Sequence, residues 1–155
     1  ENGKRGRGTD KNQVLVALSK NKMGHPQYLK MLVIDDMKKE TVIDFVTERV
    51  ETKSHLQTDA HTSFPTLVSH GYTLEAKKSD PKNDPEHLKW MHVTISNLKS
   101  FVQGTFHGLD SRHLQRYLDE FCFRFNRRKF KGELFNRLIQ SCLLTTTITY
   151  PELTR

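Results

Sequence analysis

Three groups of residues in this chain have the types and spacing that chemistry needs. Asp59 closes the short segment His55–Thr58, which reads as a strand, just before a stretch of helical spacing. Strand ends are where open α/β sheets place functional side chains, and Asp is equally a favoured helix N-cap. Both readings of Asp59 stand at this point. His92 and Lys99 lie seven residues apart, which at about 100° per residue returns them to almost the same face of a helix. Ile95 and Ser96 fall between them on that face, whereas Asn97 is rotated away. A histidine and a lysine so placed could help hold a metal-bound phosphate. The alternative is a polar edge beside an apolar stripe. The third group is Arg124, Asn126, Arg127, Arg128, Lys129 and Lys131, interleaved with Phe123, Phe125 and Phe130. It reads either as phosphate-contacting or as cations suited to the C-terminal end of a helix dipole.

The whole chain leans the same way as the third group. Its 155 residues carry 25 Lys and Arg against 18 Asp and Glu, a formal charge of +7. Such a balance favours polyanionic partners through phosphate contacts and counterion release. GxxxxGK[ST], GxSxG and HExxH are absent, so P-loop, serine-hydrolase and zincin chemistry lack their parts. The two cysteines, Cys122 and Cys142, are twenty residues apart without a CxxC. That excludes a disulfide-stapled scaffold and a Cys-rich zinc site. Both fall on apolar stripes, so both are expected in the core. Trp90, Phe101 and Phe106 likewise read as packing residues. No apolar run approaches the roughly 18 residues of a membrane span and no signal peptide is visible, so the expected compartment is the cytosol.

The elements that must carry these groups follow from periodicity. Val14–Leu18 and Tyr28–Ile34 are short apolar runs around the polar turn Asn21–His25, which predicts a hairpin. Val42, Ile43, Phe45, Val46 and Val50 are spaced as a helix over Lys39–Glu51. Ser63–His70 reads as helical with Gly71 as its stop signal, and Tyr72–Lys77 reads as a further strand. Ser79–Pro85 is a loop, marked by two prolines, two aspartates and an asparagine. Leu88, Met91, Ile95, Leu98 and Val102 predict a helix that ends in a turn over Gly104–Gly108. Asp110 is the expected N-cap of the next helix, whose stripe is Leu114, Tyr117, Leu118, Phe121, Cys122 and Phe125. A last helix places Leu134, Phe135, Leu138, Ile139, Cys142 and Leu143 on its apolar stripe. This order predicts an α/β or α+β domain with a helical C-terminal portion.

The run from His113 to Arg128 (HLQRYLDEFCFRFNRR), with Gly104-Thr105-Phe106-His107-Gly108 before it, closely resembles the C-terminal signature of bacterial DDE-type insertion-sequence transposases. The branch is the ISXO-like one, related to the eukaryotic Merlin elements. Upstream, Gly3-Lys4-Arg5-Gly6-Arg7-Gly8 resembles the family's basic glycine-rich turn, and Thr58-Asp59 its second catalytic aspartate. Ile95-Ser96-Asn97-Leu98-Lys99 resembles the last catalytic helix. The likeness covers nearly the whole chain and is strongest from Trp90 to Arg128.

The resemblance implies an RNase H-like (integrase/transposase) α/β fold, a mixed sheet flanked by helices with a helical C-terminal extension. Residues 1–10 would be a basic arm, 11–108 the catalytic core and 109–155 the extension. It further implies metal-dependent cleavage and strand transfer at the ends of an insertion sequence, with double-stranded DNA as partner and a homo-oligomer acting near the bacterial nucleoid. In that chemistry two divalent ions activate the attacking oxygen and stabilise the leaving one. Oxygen ligands suit Mg²⁺, with Mn²⁺ able to substitute. By the same resemblance Asp59 takes the second ligand position and His92, seven residues before Lys99, the third, in preference to Asn97. A histidine there departs from the family's common glutamate. Lys99, Lys4, Arg5, Arg7, Arg124, Arg127 and Arg128 would contact DNA. The first aspartate lies on a strand upstream of the glycine-rich turn, and no residue here matches it. The expectation is therefore a catalytic-domain fragment without its first central strand, inactive by itself, in which Asp59 and His92 converge at the carboxyl ends of the strands. The alternative is a non-catalytic DNA-binding or dimerisation remnant.

Overall fold

A computed structural model describes residues 12–80, 82–106 and 110–154. The basic arm, with Lys4, Arg5 and Arg7, lies outside the described residues, as do His107 and Gly108.

The first two apolar runs form the expected hairpin, β1 (Gln13–Lys20) and β2 (Pro26–Ile34), antiparallel and in register from Gln13 opposite Ile34 to Leu18 opposite Leu29. Its turn is built by Asn21, whose side-chain oxygen accepts the backbone N–H groups of Met23 and His25 at 3.0 and 2.9 Å. Gly24 supplies the left-handed residue, at φ 79°. Asn and Gly hold these roles because one mimics a backbone acceptor and the other has no Cβ to clash.

The hairpin is apolar on both faces because both are covered. On one side Leu15, Ala17, Leu32 and Ile34 pack against Val42, Phe45 and Val46 of helix α1 (Lys39–Arg49), with Leu67 and Tyr72 completing the cluster. On the other, Val14, Val16, Leu29 and Met31 meet Leu118, Phe121 and Cys122 of helix α3 (Leu114–Arg127), together with Leu98 and Phe101 of helix α2 (Lys89–Thr105). Coverage of both faces is why the sequence shows continuous apolar runs here in place of alternation. Leu29 is fully buried, a burial that contributes about 1.5–3 kcal/mol.

β3 (His55–Thr58) and β4 (Thr73–Ala76) pair in parallel, with His55 opposite Thr73 and Thr58 opposite Ala76. The crossover between them carries a 3-10 helix, Phe64–His70, stopped by Gly71 at φ 87°. Tighter 3-10 winding suits so short a segment with a proline at its start.

The architecture is mixed α/β, and its strands form two separate two-stranded sheets, β1–β2 and β3–β4. The single mixed sheet expected from the sequence is thus not formed among the described residues. β1 and β3 are linked by the side chains of Lys20 and Gln57 (2.6 Å) and share the cluster around Leu15 and Leu56, without a backbone ladder between them.

Three further expectations need correction. Gly104 is helical and not part of a turn, because α2 continues through it to Thr105. Asp110 does cap, accepting the N–H of Arg112 at 2.9 Å, but it caps a single 3-10 turn, Ser111–His113, from which α3 continues. The last stripe does not reach the core. On helix α4 (Leu134–Leu144), Phe135, Leu138, Ile139 and Leu143 are exposed, and Cys142 is exposed with them. Only Cys122 is a core cysteine, since α3 lies against β2 and α4 lies beyond it. A short helix α5 (Tyr150–Thr154) follows. Among the described residues no helix is long and apolar enough to cross a membrane.

Candidate functional site

Parallel pairing brings the carboxyl ends of β3 and β4 to one edge, so the residues that leave them, Asp59 and Lys77, start from the same place. The carbonyl of Thr58 is the junction of this edge. It accepts the N–H of Lys77 at 3.2 Å and Nε2 of His87 at 3.2 Å. His87 is 6% exposed, one of three buried polar side chains among the described residues. Its own N–H reaches Oδ1 of Asp84 at 3.3 Å. The Thr58 hydroxyl is buried beside these groups and has no hydrogen-bond partner.

Helix α2 starts from that junction. Leu88 precedes it with φ 54°, a left-handed value costly for a branched residue. The N–H of His92 then bonds to the Leu88 carbonyl at 3.0 Å, closing the first turn. His92 is exposed, and its Nε2 lies 2.9 Å from Oγ of Ser79 on the loop that leaves β4. Lys99 stands two turns further along the same unbroken helix, also exposed. Asn97 is exposed on a different face of it.

Asp59 is exposed as well, and it accepts the N–H of His61 at 3.3 Å. Its cap therefore serves the turn directly after β3. The helix-cap reading does not hold, because the 3-10 helix begins only at Phe64 with Ser63 before it.

Asp59 bonds to His61 and His92 to Ser79, and no direct contact joins the carboxylate to the imidazole. Among the described residues no three His, Cys, Asp or Glu side chains are grouped to hold a metal ion. Two donors alone fall short of the six oxygen ligands that Mg²⁺ favours.

The basic cluster divides four ways. Arg124 is exposed and pairs with Glu120 at 2.7 Å, one helical turn away. Arg127 stacks on the Phe123 ring at 3.6 Å, a geometry that uses the ring quadrupole. Arg128 turns inward: it donates to the carbonyls of Pro26, Gln27 and Phe125 and lies 3.9 Å from the Phe125 ring. Burial lowers its pKa from the ordinary guanidinium value. Asn126 also faces the hairpin, bonded to Leu29. Lys129 and Lys131 are exposed.

Sequence reasoning overlooked His87. A lone histidine two residues before a helix carries no signal by type, and its burial depends on where β3 ends in space. The loop signal at Ser79–Pro85 was the available hint, because a long loop leaves the next residue free to fold back.

No curated protein matches the chain. The family described as the ISXO2-like transposase domain matches residues 1–126, from the basic arm to the next-to-last residue of α3. That span contains Asp59, His87, His92 and Lys99 and, from the cluster at the end of α3, Arg124 and Asn126, and the chain belongs to this family of insertion-sequence transposases of the DDE type.

Proposed function

We propose that this chain is the catalytic domain of its transposase, acting on double-stranded DNA in strand cleavage and strand transfer at insertion-sequence ends. One observation supports this most: Asp59 leaves the carboxyl edge of a parallel strand pair, and the carbonyl of Thr58 just before it accepts His87, which lies two residues ahead of the helix that carries His92. That is where α/β sheets place their chemistry. Asp59 and His92 are the donors this chain offers to a divalent cation, Mg²⁺ or Mn²⁺, and the set needs at least one more. Lys99, about 10 Å along α2 by helical rise, would bind a phosphate of the same DNA strand. Arg124, Arg127, Lys129 and Lys131 would meet the duplex further out, and the chain would work as a homo-oligomer. Arg128 contributes indirectly, by holding α3 on the hairpin.

The fold reading goes with this. β1 buries side chains on both faces yet pairs on one side only, which is the pattern of a strand inside a larger sheet. A strand between β1 and β3 would join the two sheets into one of RNase H-like form.

The test is plasmid nicking in Mn²⁺ by the chain extended upstream, beside its Asp59→Ala variant. Metal-dependent nicking that disappears with Asp59 is the expected result. Equal activity in both proteins, or none in either, would overturn the catalytic reading. It would favour the second one, a DNA-binding module without catalysis, to which the exposed Lys129 and Lys131 are also suited.

A further inference from the structure

We propose that helix α4 is the surface through which two copies of this chain pair. The inference names the contact behind the homo-oligomer proposed above and does not depend on catalysis. α4 is mounted with its polar side inward. Arg137 and Ser141 are its half-buried residues. The Arg137 guanidinium lies 3.7 Å from the Phe130 ring and pairs with Glu133 at 2.8 Å. Facing away is the apolar stripe, in which Leu134, Phe135, Leu138, Ile139 and Leu143 are 42, 73, 46, 43 and 79% exposed. An amphipathic helix ordinarily turns such a stripe toward a core. Here a second copy would supply the other half of that core.

Area and charge point to that occupant. Ile148, 56% exposed, lines one groove with Leu138 and Cys142 and so continues the stripe past the end of the helix. At about 150–250 Å² for a fully exposed residue of this size, the six side chains present roughly 500–850 Å². The largest apolar patch of an ordinary monomer is about 300–600 Å². A stable pair takes about 800 Å² from each partner, about 65% of it apolar in homodimers. The stripe matches what one copy must contribute. Between Leu134 and Tyr150 the only charged residue is Arg137, on the inward side. On a chain of charge +7, such a neutral face gives DNA phosphates nothing to hold, and two like-charged copies meet there with least repulsion. A lipid surface would call for several cations on the polar side, where α4 has one, already paired.

The face is also complementary to itself. Phe135 and Cys142 are seven residues apart and share one side of the helix. At Cys142 the groove, about 430 Å³ and bounded by Phe123, Leu138, Thr145 and Ile148, has room for an aromatic ring, which needs about 150 Å³. A two-fold contact repeats each pairing twice. Antiparallel α4 helices that cross between Leu138 and Ile139 bring Phe135 of each copy into the groove at the partner's Cys142.

The experiment is analytical ultracentrifugation of the chain over a concentration series, with Leu138→Asp on the stripe and Gln140→Asp, exposed on the other side of α4, as control. The expected result is a monomer–dimer equilibrium in the micromolar range, weak enough that dilute chain melts as a monomer. Leu138→Asp raises the dissociation constant at least about thirtyfold, and Gln140→Asp leaves it unmoved. If Leu138→Asp fails to fold by circular dichroism, Phe135→Asp replaces it at a more exposed position. Phe135→Lys and Cys142→Asp test the crossing: combined, they weaken pairing less than their separate effects multiply, because each new charge meets its opposite on the partner. Fully multiplicative weakening overturns the antiparallel crossing. A dimer that the stripe variants leave intact overturns the inference and leaves the homo-oligomer standing on another surface. A chain that is monomeric at every concentration overturns both and hands the stripe to a different partner, while the nicking test of catalysis is unaffected.

Discussion

Asn126 on α3 completes the backbone of Leu29 on β2: its Oδ1 accepts the Leu29 N–H at 2.7 Å and its Nδ2 donates to the Leu29 carbonyl at 2.9 Å. A side-chain amide thus substitutes for a neighbouring strand. Gln115 repeats the arrangement one helix length away, accepting from Val33 N–H at 2.8 Å and donating to the Met31 carbonyl at 3.2 Å. Arg128 takes the carbonyls of Pro26 and Gln27. Between them three side chains of α3 and its C-cap close the β2 edge opposite β1, an edge that would otherwise invite pairing with another chain.

Replacing Asn126 by Leu should therefore destabilise the fold through the groups it leaves behind. Each buried backbone group without a partner costs about 1–3 kcal/mol. Asn126→Asp keeps the acceptor and loses the donor, so it should fall between wild type and Leu. Chemical denaturation of the three proteins measures the order. Indistinguishable midpoints would show that water replaces the amide freely.

The two cysteines should behave oppositely. Burial, aided by the negative charge of Asp119, pushes the Cys122 thiol up to about 11, and the thiolate is the reactive form. Cys142 is exposed. At mildly alkaline pH a thiol reagent should modify one cysteine in the folded chain and two after denaturation, and Cys142→Ser should leave the folded chain unreactive.

Acid should loosen the parallel strand pair. Glu75 on β4 is held at about 2, well below its ordinary 4.5, chiefly by Lys77 and also by Gln57 and His55. A carboxylate with a depressed folded-state pKa stabilises above its unfolded value and loses that stabilisation as the pH falls through its folded one. The contribution is thus complete above about 4.5 and fades toward about 2. Glu75→Gln should flatten this part of a stability–pH profile, with the rest of the curve unchanged. A profile identical to wild type between those values would refute the linkage.

Phe135 and Leu143 on α4 are 73% and 79% exposed, so exchanging both for serine removes little packing. Surface changes of this kind usually stay within about ±0.5 kcal/mol. The melting temperature should hold while light scattering at high concentration falls, because exposed apolar patches promote association. A marked loss of stability would mean that α4 is packed more closely than its exposure shows.

Periodicity and turn chemistry were enough to place most elements. The hairpin was legible because Asn21 and Gly24 punctuate two apolar runs, and α2 and α3 because their apolar residues recur at three and four. The ends of elements were less legible: Gly104 stays helical because the preceding turns continue through it. Asp59 and His92 were singled out by type and spacing together with the family resemblance. The junction at Thr58, and the buried His87 that bonds to it, were not visible, since parallel pairing joins residues about eighteen positions apart.

Sequence alone determined the local matters: which stretches are apolar, where the chain turns, how much positive charge it carries and which family it resembles. These depend on neighbours within a few residues, or on composition, and the chain states them directly. Only the tertiary structure decided how those pieces are used. The same apolar spacing buries Cys122 against β2 and leaves Cys142 in solvent, because burial depends on what lies opposite a helix and not on the helix itself. Likewise three residues of one basic run part ways: Arg127 stacks on a ring, while Asn126 and Arg128 complete the backbone of a strand about a hundred positions earlier. A polar group within reach of an unpaired backbone amide or carbonyl satisfies it, and only the folded chain sets what is within reach.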